Sequence, residues 1–245
     1  MANEFVIIVP ARAGSSRLPN KPLAQIDGKS LLERVHELAQ SSNATATYIA
    51  TDNEAIRDHA HSIGAEVIMT SQTHISGMDR IAEASRLIGL SPETHILNLQ
   101  GDEPFMPLDI INTLTSHLSS LTPIATACVP LSNPEDIASP NEVKVVRSLS
   151  KRAMYFSRSV IPHEFTASHD GFLKHLGIYA YSNQTLQELT TLEPTDNELQ
   201  ERLEQLRFLD HGYNIFVEDY ACVPPIGIDT PEDVERAIEF IKSHE

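Results

Sequence analysis

The chain is 245 residues long, 41% hydrophobic and 21% charged, with a formal net charge of −16. Such a composition suits an ordinary globular α/β protein; the acidic balance speaks against nucleic acid or an acidic membrane surface as partner, and no apolar run is long enough for membrane insertion. Two distant cysteines, Cys128 and Cys222, make neither a disulfide framework nor a zinc pattern and fit a reducing cytoplasm, and the first residues lack the basic-then-apolar pattern of a signal peptide.

Phe5–Val9 is an apolar run of strand length. Ser30 with Glu33 spells a capping box, and Leu31, Leu32, Val35 and Leu38 follow at helical spacing. Thr47–Ala50 reads as a strand, Glu54–Ser62 as a helix stopped at Gly64, and Val67–Met69 as a strand. Ser76 caps a helix that runs to Leu87 and ends at Gly89. Ile96–Leu99 is the next strand and Pro107–Leu118 the next helix. Strands alternating with helices imply right-handed crossovers and a mostly parallel sheet covered on both faces.

The pattern then loosens. Ala125–Val129 and Val143–Val146 read as strands around a Pro-containing loop, and Phe165–Gly171 as a polar, mobile stretch. In Leu173–Tyr181, Leu176, Ile178 and Ala180 share one face, and His175, Gly177 and Tyr179 the other. Asn197 with Gln200 is expected to open a helix whose stripe is Leu199, Leu203, Leu206 and Leu209. Ile215–Val223 reads as a strand, and Thr230, Pro231 and Asp233 start the last helix. The expectation is a single domain, 1–245, with a strand-rich insertion at about 130–185.

Four segments carry candidate chemistry. The loop after the first strand, "PARAGSSRLPNKPL", holds Arg12, Arg17 and Lys21 beside small residues, a composition that can nest an anion. It is neither a Walker A loop nor a dinucleotide fingerprint, since Gly14 is its lone glycine. The competing reading is a solvated turn whose cations pair with the protein's own carboxylates. "NLQGDEP" places Asp102 and Glu103 just past a strand, where ligands bind in open α/β sheets and where a carboxylate suits Mg²⁺. "GIDTPEDV" does the same for Asp229; for both segments an ordinary turn former is the competing reading. "SGMDR" opens a helix whose free N–H groups could hold a phosphate, although capping by Ser76 alone explains its pattern. The eleven histidines show no metal-ligand spacing, and there is no Ser nucleophile elbow.

In order along almost the whole chain, "PARAGSSRLPNKPL", "ATD", "SGMDR", "NLQGDEP", "VKVV", "YFSR", "KHLGIYAY", "LEQLR" and "GIDTPEDVE" resemble the 3-deoxy-manno-octulosonate cytidylyltransferase (CMP-Kdo synthetase) family. The resemblance implies a Rossmann-like nucleotidyltransferase fold whose strand-rich insertion makes a homodimer. It also implies transfer of CMP from CTP, with Mg²⁺, to the acidic eight-carbon sugar Kdo for lipopolysaccharide synthesis. Position by position, Arg12, Ser15, Arg17 and Lys21 match the triphosphate loop, and Ser76, Gly77, Arg80 and Gln100 match nucleotide-side positions. Asp102 and Asp229 match the magnesium carboxylates; with Arg12 and Lys21 they form the implied catalytic set. Arg158, His175, Tyr179, Glu204 and Gln205 match the sugar side. One position departs: Met78 stands where the family usually has Thr, which removes a hydroxyl from the nucleotide side. The alternatives are an acceptor such as 8-amino-3,8-dideoxy-manno-octulosonate, a sialic-acid activator, or a non-catalytic nucleotide-binding regulator. Retention of both Asp102 and Asp229 argues against the regulator.

Overall fold

Strand β1 (Phe5–Ala11) buries every side chain except Pro10. The computed structural model describes residues 4–14, 17–165, 171–222 and 225–244. Two compact units result, one of Met1–Asn112 with Pro225–Glu245, the other of Thr113–Pro224. The stretch at about 130–185 lies in the second.

In the first unit, β1 leads through a basic loop and a 3₁₀ turn at Lys21–Leu23 to a small hairpin, β2 (Gln25–Ile26) and β3 (Lys29–Ser30). Helix α1 (Leu31–Gln40) starts where Ser30 accepts from the Glu33 N–H, and it buries Leu31, Leu32, Val35 and Ala39. Then come β4 (Ala46–Thr51), α2 (Glu54–Ser62), β5 (Glu66–Met69), α3 (Gly77–Ile88), β6 (His95–Asn98) and α4 (Leu108–Thr113). The expected 107–118 helix is thus shorter: Leu114–His117 tightens into a 3₁₀ turn. β4 and β6 pair in parallel with β1 on opposite sides, and β5 pairs in parallel with β4. The chain therefore builds outward from β1 to β5 and then jumps back to β6. That reversal opens a crevice at the carboxyl ends of β1 and β6, the usual ligand position in such sheets.

The second unit contains β7 (Ile124–Leu131), α5 (Pro134–Ala138), β8 (Lys144–Arg147), β9 (Ala153–Ser157) and β10 (Phe172–Ser182). It continues with α6 (Asn183–Leu189), α7 (Asp196–Glu201), α8 (Gln205–Asp210) and β11 (Ile215–Asp219). β10 runs antiparallel to β7 and β8, β9 antiparallel to β8, and β11 parallel to β7. A register shift between Leu176 and Tyr179 interrupts the pairing of β10 with β7, while Leu176, Ile178 and Ala180 are buried together as expected. The single helix expected from Asn197 is two: Arg202 adopts a left-handed conformation (φ 54°) between α7 and α8, and Leu199 is exposed. The expected mobile stretch falls mostly on residues 166–170 and the end of Ile215–Val223 on Val223, outside the described residues. The last helix, α9 (Pro231–His244), returns to the first unit, where Phe240 packs edge-on against Phe105 with ring centroids 5.1 Å apart.

Candidate active site

The loops after β1 and β6 and the segment before α9 converge in the first unit. Gly101 passes so near β1 that a Cβ there would stand 2.8 Å from the Pro10 carbonyl oxygen. Only glycine lets the loop after β6 lie that low. The Ile228 N–H then donates to the Asp102 carbonyl oxygen at 2.9 Å, which brings Asp229 alongside. Asp233, on the first turn of α9, fixes the approach by accepting from the Asp229 and Thr230 N–H groups, both at 2.9 Å. Desolvation would raise the Asp233 pKa, but Arg236 and these N–H donors outweigh it and lower it.

Lys21 Nζ donates to Asp102 Oδ2 at 2.5 Å and to Asp229 Oδ1 at 2.9 Å. Arg17 Nη2 lies 3.0 Å from Asp229 Oδ2. Burial works against the Lys21 ammonium, yet the charge of Asp102 and hydrogen bonds to both carboxylates raise its pKa above the ordinary lysine value. Arg12 is exposed and makes no ion pair among the described residues. These groups line a polar cavity of about 460 Å³ together with Ser76, Gly77 and Gln100. Ser15 lies outside the described residues. The two readings of the basic loop are therefore compatible: its cations face a ligand-sized cavity, and two of them pair with the protein's own carboxylates.

On the far wall, Ser76 and Asp79 cap α3 reciprocally. That leaves the Gly77 and Met78 N–H groups without a partner among the described residues, at a helix end suited to an anion. Gln100 donates its amide to Asn98 Oδ1 at 2.9 Å. Arg80 touches the cavity, but its guanidinium points elsewhere: Nη1 donates to Thr70 Oγ1 at 2.5 Å and Nη2 to Asp52 Oδ2 at 2.7 Å. With 2% of its surface exposed, Arg80 ties the start of α3 to the ends of β4 and β5. Met78 is 4% exposed and packed in the core, so its side chain does not line the cavity. His74, which no sequence pattern singled out, lines the cavity and pairs with Glu83 at 2.5 Å.

The sugar-side candidates all belong to the second unit. His175 is buried, with Nε2 3.0 Å from Thr126 Oγ1. The single Thr126 hydroxyl proton goes to the Ile178 carbonyl at 2.7 Å, so the imidazole Nε2–H is the donor and Nδ1 keeps its lone pair. Desolvation lowers the His175 pKa to about 3 and, with the charge of Glu204, raises that of Tyr179 well above its ordinary value. Gln205 opens α8 and is buried, and Glu204 precedes it. Arg158 donates Nε to the Glu201 carbonyl at 2.9 Å and Nη1 to the Pro140 carbonyl at 3.0 Å, while its N–H meets Glu201 Oε2 at 2.9 Å. Glu201 thereby ties the end of β9 to the segment that carries Glu204 and Gln205, a link without a sequence signal.

Among the described residues no group of three or more His, Cys, Asp or Glu side chains could hold a metal by itself. Asp102 and Asp229 nevertheless converge on one cation, the Lys21 ammonium. Two convergent carboxylates fit Mg²⁺, which takes few protein ligands and completes its shell with substrate phosphate oxygens and water.

Residues 6–216 match the cytidylyltransferase family. The 3-deoxy-manno-octulosonate cytidylyltransferase of Pseudoalteromonas translucida is 40% identical over 249 residues, covering 98% of each chain. That of Polynucleobacter necessarius is 43% identical over 247 residues, covering 98% of this chain and 96% of the relative. A solved structure of CMP:2-keto-3-deoxy-manno-octonic acid synthetase complexed with CTP superposes with a TM-score of 0.91 at 36% identity, covering 99% of this chain and all of that one. A 4-diphosphocytidyl-2C-methyl-D-erythritol synthase, 10% identical with a TM-score of 0.66, shares the fold alone. By sequence along nearly its whole length, the chain belongs to the 3-deoxy-manno-octulosonate cytidylyltransferase family.

Proposed function

We propose that the chain transfers CMP from CTP to 3-deoxy-manno-octulosonate, giving CMP-Kdo and diphosphate. Beside family membership, the observation that carries this reading is the meeting of Lys21, Asp102 and Asp229 in a polar cavity at the carboxyl ends of β1 and β6. Arg12, Arg17 and Lys21 supply counter-charge for a triphosphate inside an acidic protein. The N–H groups of Gly77 and Met78 offer a second anion cradle. The sugar hydroxyl attacks the α-phosphorus, its bond to diphosphate breaks in line, and the hydroxyl proton leaves with solvent. No covalent enzyme intermediate is required, so positioning and charge stabilisation are the protein's contribution.

Asp102 and Asp229 would hold Mg²⁺. Bound there, the ion neutralises phosphate charge and lowers the pKa of the attacking hydroxyl. Arg12 and Lys21 stabilise the charge that builds on the departing diphosphate. Arg158, His175, Tyr179, Glu204 and Gln205 are the proposed sugar contacts, with His175 Nδ1 as a neutral acceptor for a hydroxyl. A cytoplasmic homodimer serving lipopolysaccharide synthesis is the setting proposed for this activity.

Diphosphate release with a panel of nucleotides and ulosonic acids tests the reading. CTP with Kdo should be the best pair. A better rate with the 8-amino acid would move the acceptor assignment, one with a sialic acid would overturn it, and no release with any pair would favour a regulator.

A further inference from the structure

The contact between Lys21 and the two carboxylates is more than triphosphate binding requires. Its Nζ sits 2.5 Å from Asp102 Oδ2 and 2.9 Å from Asp229 Oδ1, while Arg17 holds the second oxygen of Asp229 at 3.0 Å. A divalent ion on both carboxylates would have to share their oxygens with an ammonium group one hydrogen bond away. Like charges at that distance repel, and more strongly in a partly desolvated cleft than in water.

We propose that Lys21 is a latch: it fills the cation position between Asp102 and Asp229 and keeps divalent metal out until a nucleoside triphosphate draws the lysine away. The proposal rests on the reading of these two aspartates as metal ligands.

Charge supports it. Asp102 and Asp229 carry two negative charges, and Lys21 with Arg17 returns two positive ones, so the nucleotide-free cluster is neutral. A triphosphate offers both cations charge-assisted hydrogen bonds. Once they turn to it, the carboxylates are left with the charge that one divalent ion neutralises. Mobility supports it too. The Lys21 backbone is held in a 3₁₀ turn with Pro22 buried behind it, and the Leu23 N–H donates to the Asn20 carbonyl at 2.8 Å. The flexible four-carbon stem alone has to swing. Arg12, outside any ion pair among the described residues, can meet the nucleotide before a contact is broken. By linkage, nucleotide and metal then raise each other's affinity by the same factor.

Mn²⁺ binding to the full chain, read by electron paramagnetic resonance without nucleotide, tests the latch. Wild type should bind Mn²⁺ weakly. Lys21→Met and Lys21→Gln should each bind one Mn²⁺ about 5–150-fold more tightly, the usual span of such coupling. Adding Asp102→Asn to Lys21→Met should abolish the gain. Mn²⁺ affinity in both Lys21 variants no better than wild type, with Asp102-dependent Mn²⁺ binding intact in the presence of CTP, overturns the latch alone. If Asp102→Asn and Asp229→Asn retain Mn²⁺ with CTP as wild type does, the metal reading fails and the latch with it.

Discussion

The Ile228 N–H donates to the carbonyl oxygen of Asp102 at 2.9 Å. This one main-chain bond joins segments more than a hundred residues apart and sets the two candidate metal carboxylates side by side. It works because Gly101 lets the loop after β6 sink onto Pro10. Gly101→Ala would force a Cβ to within 2.8 Å of a backbone oxygen, so the loop must rise and carry Asp102 with it. We expect a stability loss of about 1–3 kcal/mol, the usual cost of overpacking, and a larger proportional loss of turnover. Thermal unfolding and CTP-dependent diphosphate release check it; a variant with wild-type kcat would mean that the loop height does not position Asp102.

What the sequence could tell follows the range over which each signal acts. α2 appeared residue for residue, and β1 and α3 nearly so, because apolar period, Ser76 and Gly89 are local instructions. Leucines at 199, 203, 206 and 209 suggested one helix, yet Arg202 breaks it. The better signal was Thr195 with Glu198, a true capping box that starts α7 earlier and turns Leu199 outward. In the site, Asp102 was legible as a carboxylate just past a strand; Asp229, expected in the same kind of position, lies instead on the segment that leads into α9, beyond the end of β11 at Asp219. Lys21 between them was not, since its partners lie 81 and 208 positions away. Arg80 and Met78 show the same limit: a motif position names a neighbourhood but not the side toward which the side chain turns.

Arg12→Ala should leave the fold untouched, because the side chain is exposed and makes no ion pair among the described residues. Losing a charge-assisted phosphate contact costs about 1.5–3 kcal/mol, or roughly 10–150-fold in kcat/KM for CTP. Steady-state kinetics alongside a thermal melt separate the two effects. A large melting shift with unchanged kinetics would make Arg12 a structural residue.

Met78→Thr should act on stability and not on the nucleotide. The thioether is packed in the core, so the change removes buried apolar volume and introduces a hydroxyl that needs a partner. A loss of about 1–3 kcal/mol is expected, with CTP affinity and base preference unchanged. A clear gain in CTP affinity would show that residue 78 reaches the nucleotide after all.

Asp52→Asn should destabilise the first unit more than its position near the surface suggests. It leaves the Arg80 guanidinium, 2% exposed, without its counter-charge. Breaking one side of a buried pair costs about 3–5 kcal/mol. Because Arg80 anchors the start of α3, CTP binding should weaken as well. Denaturant unfolding with calorimetric CTP titration measures both, and a stability change below about 0.5 kcal/mol, the level of an ordinary surface substitution, would contradict the anchor.

His175 makes the protein's stability acid-sensitive, in a direction fixed by burial. Its folded pKa is lowered to about 3 from an ordinary value of 6.5, chiefly by desolvation. Between those values the unfolded chain binds a proton that the folded chain refuses, so stability rises with pH across that window. Seen from the other direction, stability is whole above about pH 6.5 and falls by up to about 1.4 kcal/mol per pH unit on acidification. His175→Gln removes the titrating group while keeping a donor for Thr126, so its stability should fall less between pH 6.5 and 4 than that of wild type. The activity profile should show no limb from His175 near neutrality, because Nδ1 stays an unprotonated acceptor throughout. Unfolding free energies measured at several pH values, together with imidazole resonances of the folded protein, decide the matter. A folded-state titration of His175 between pH 5 and 7 would refute both the window and the neutral-acceptor role.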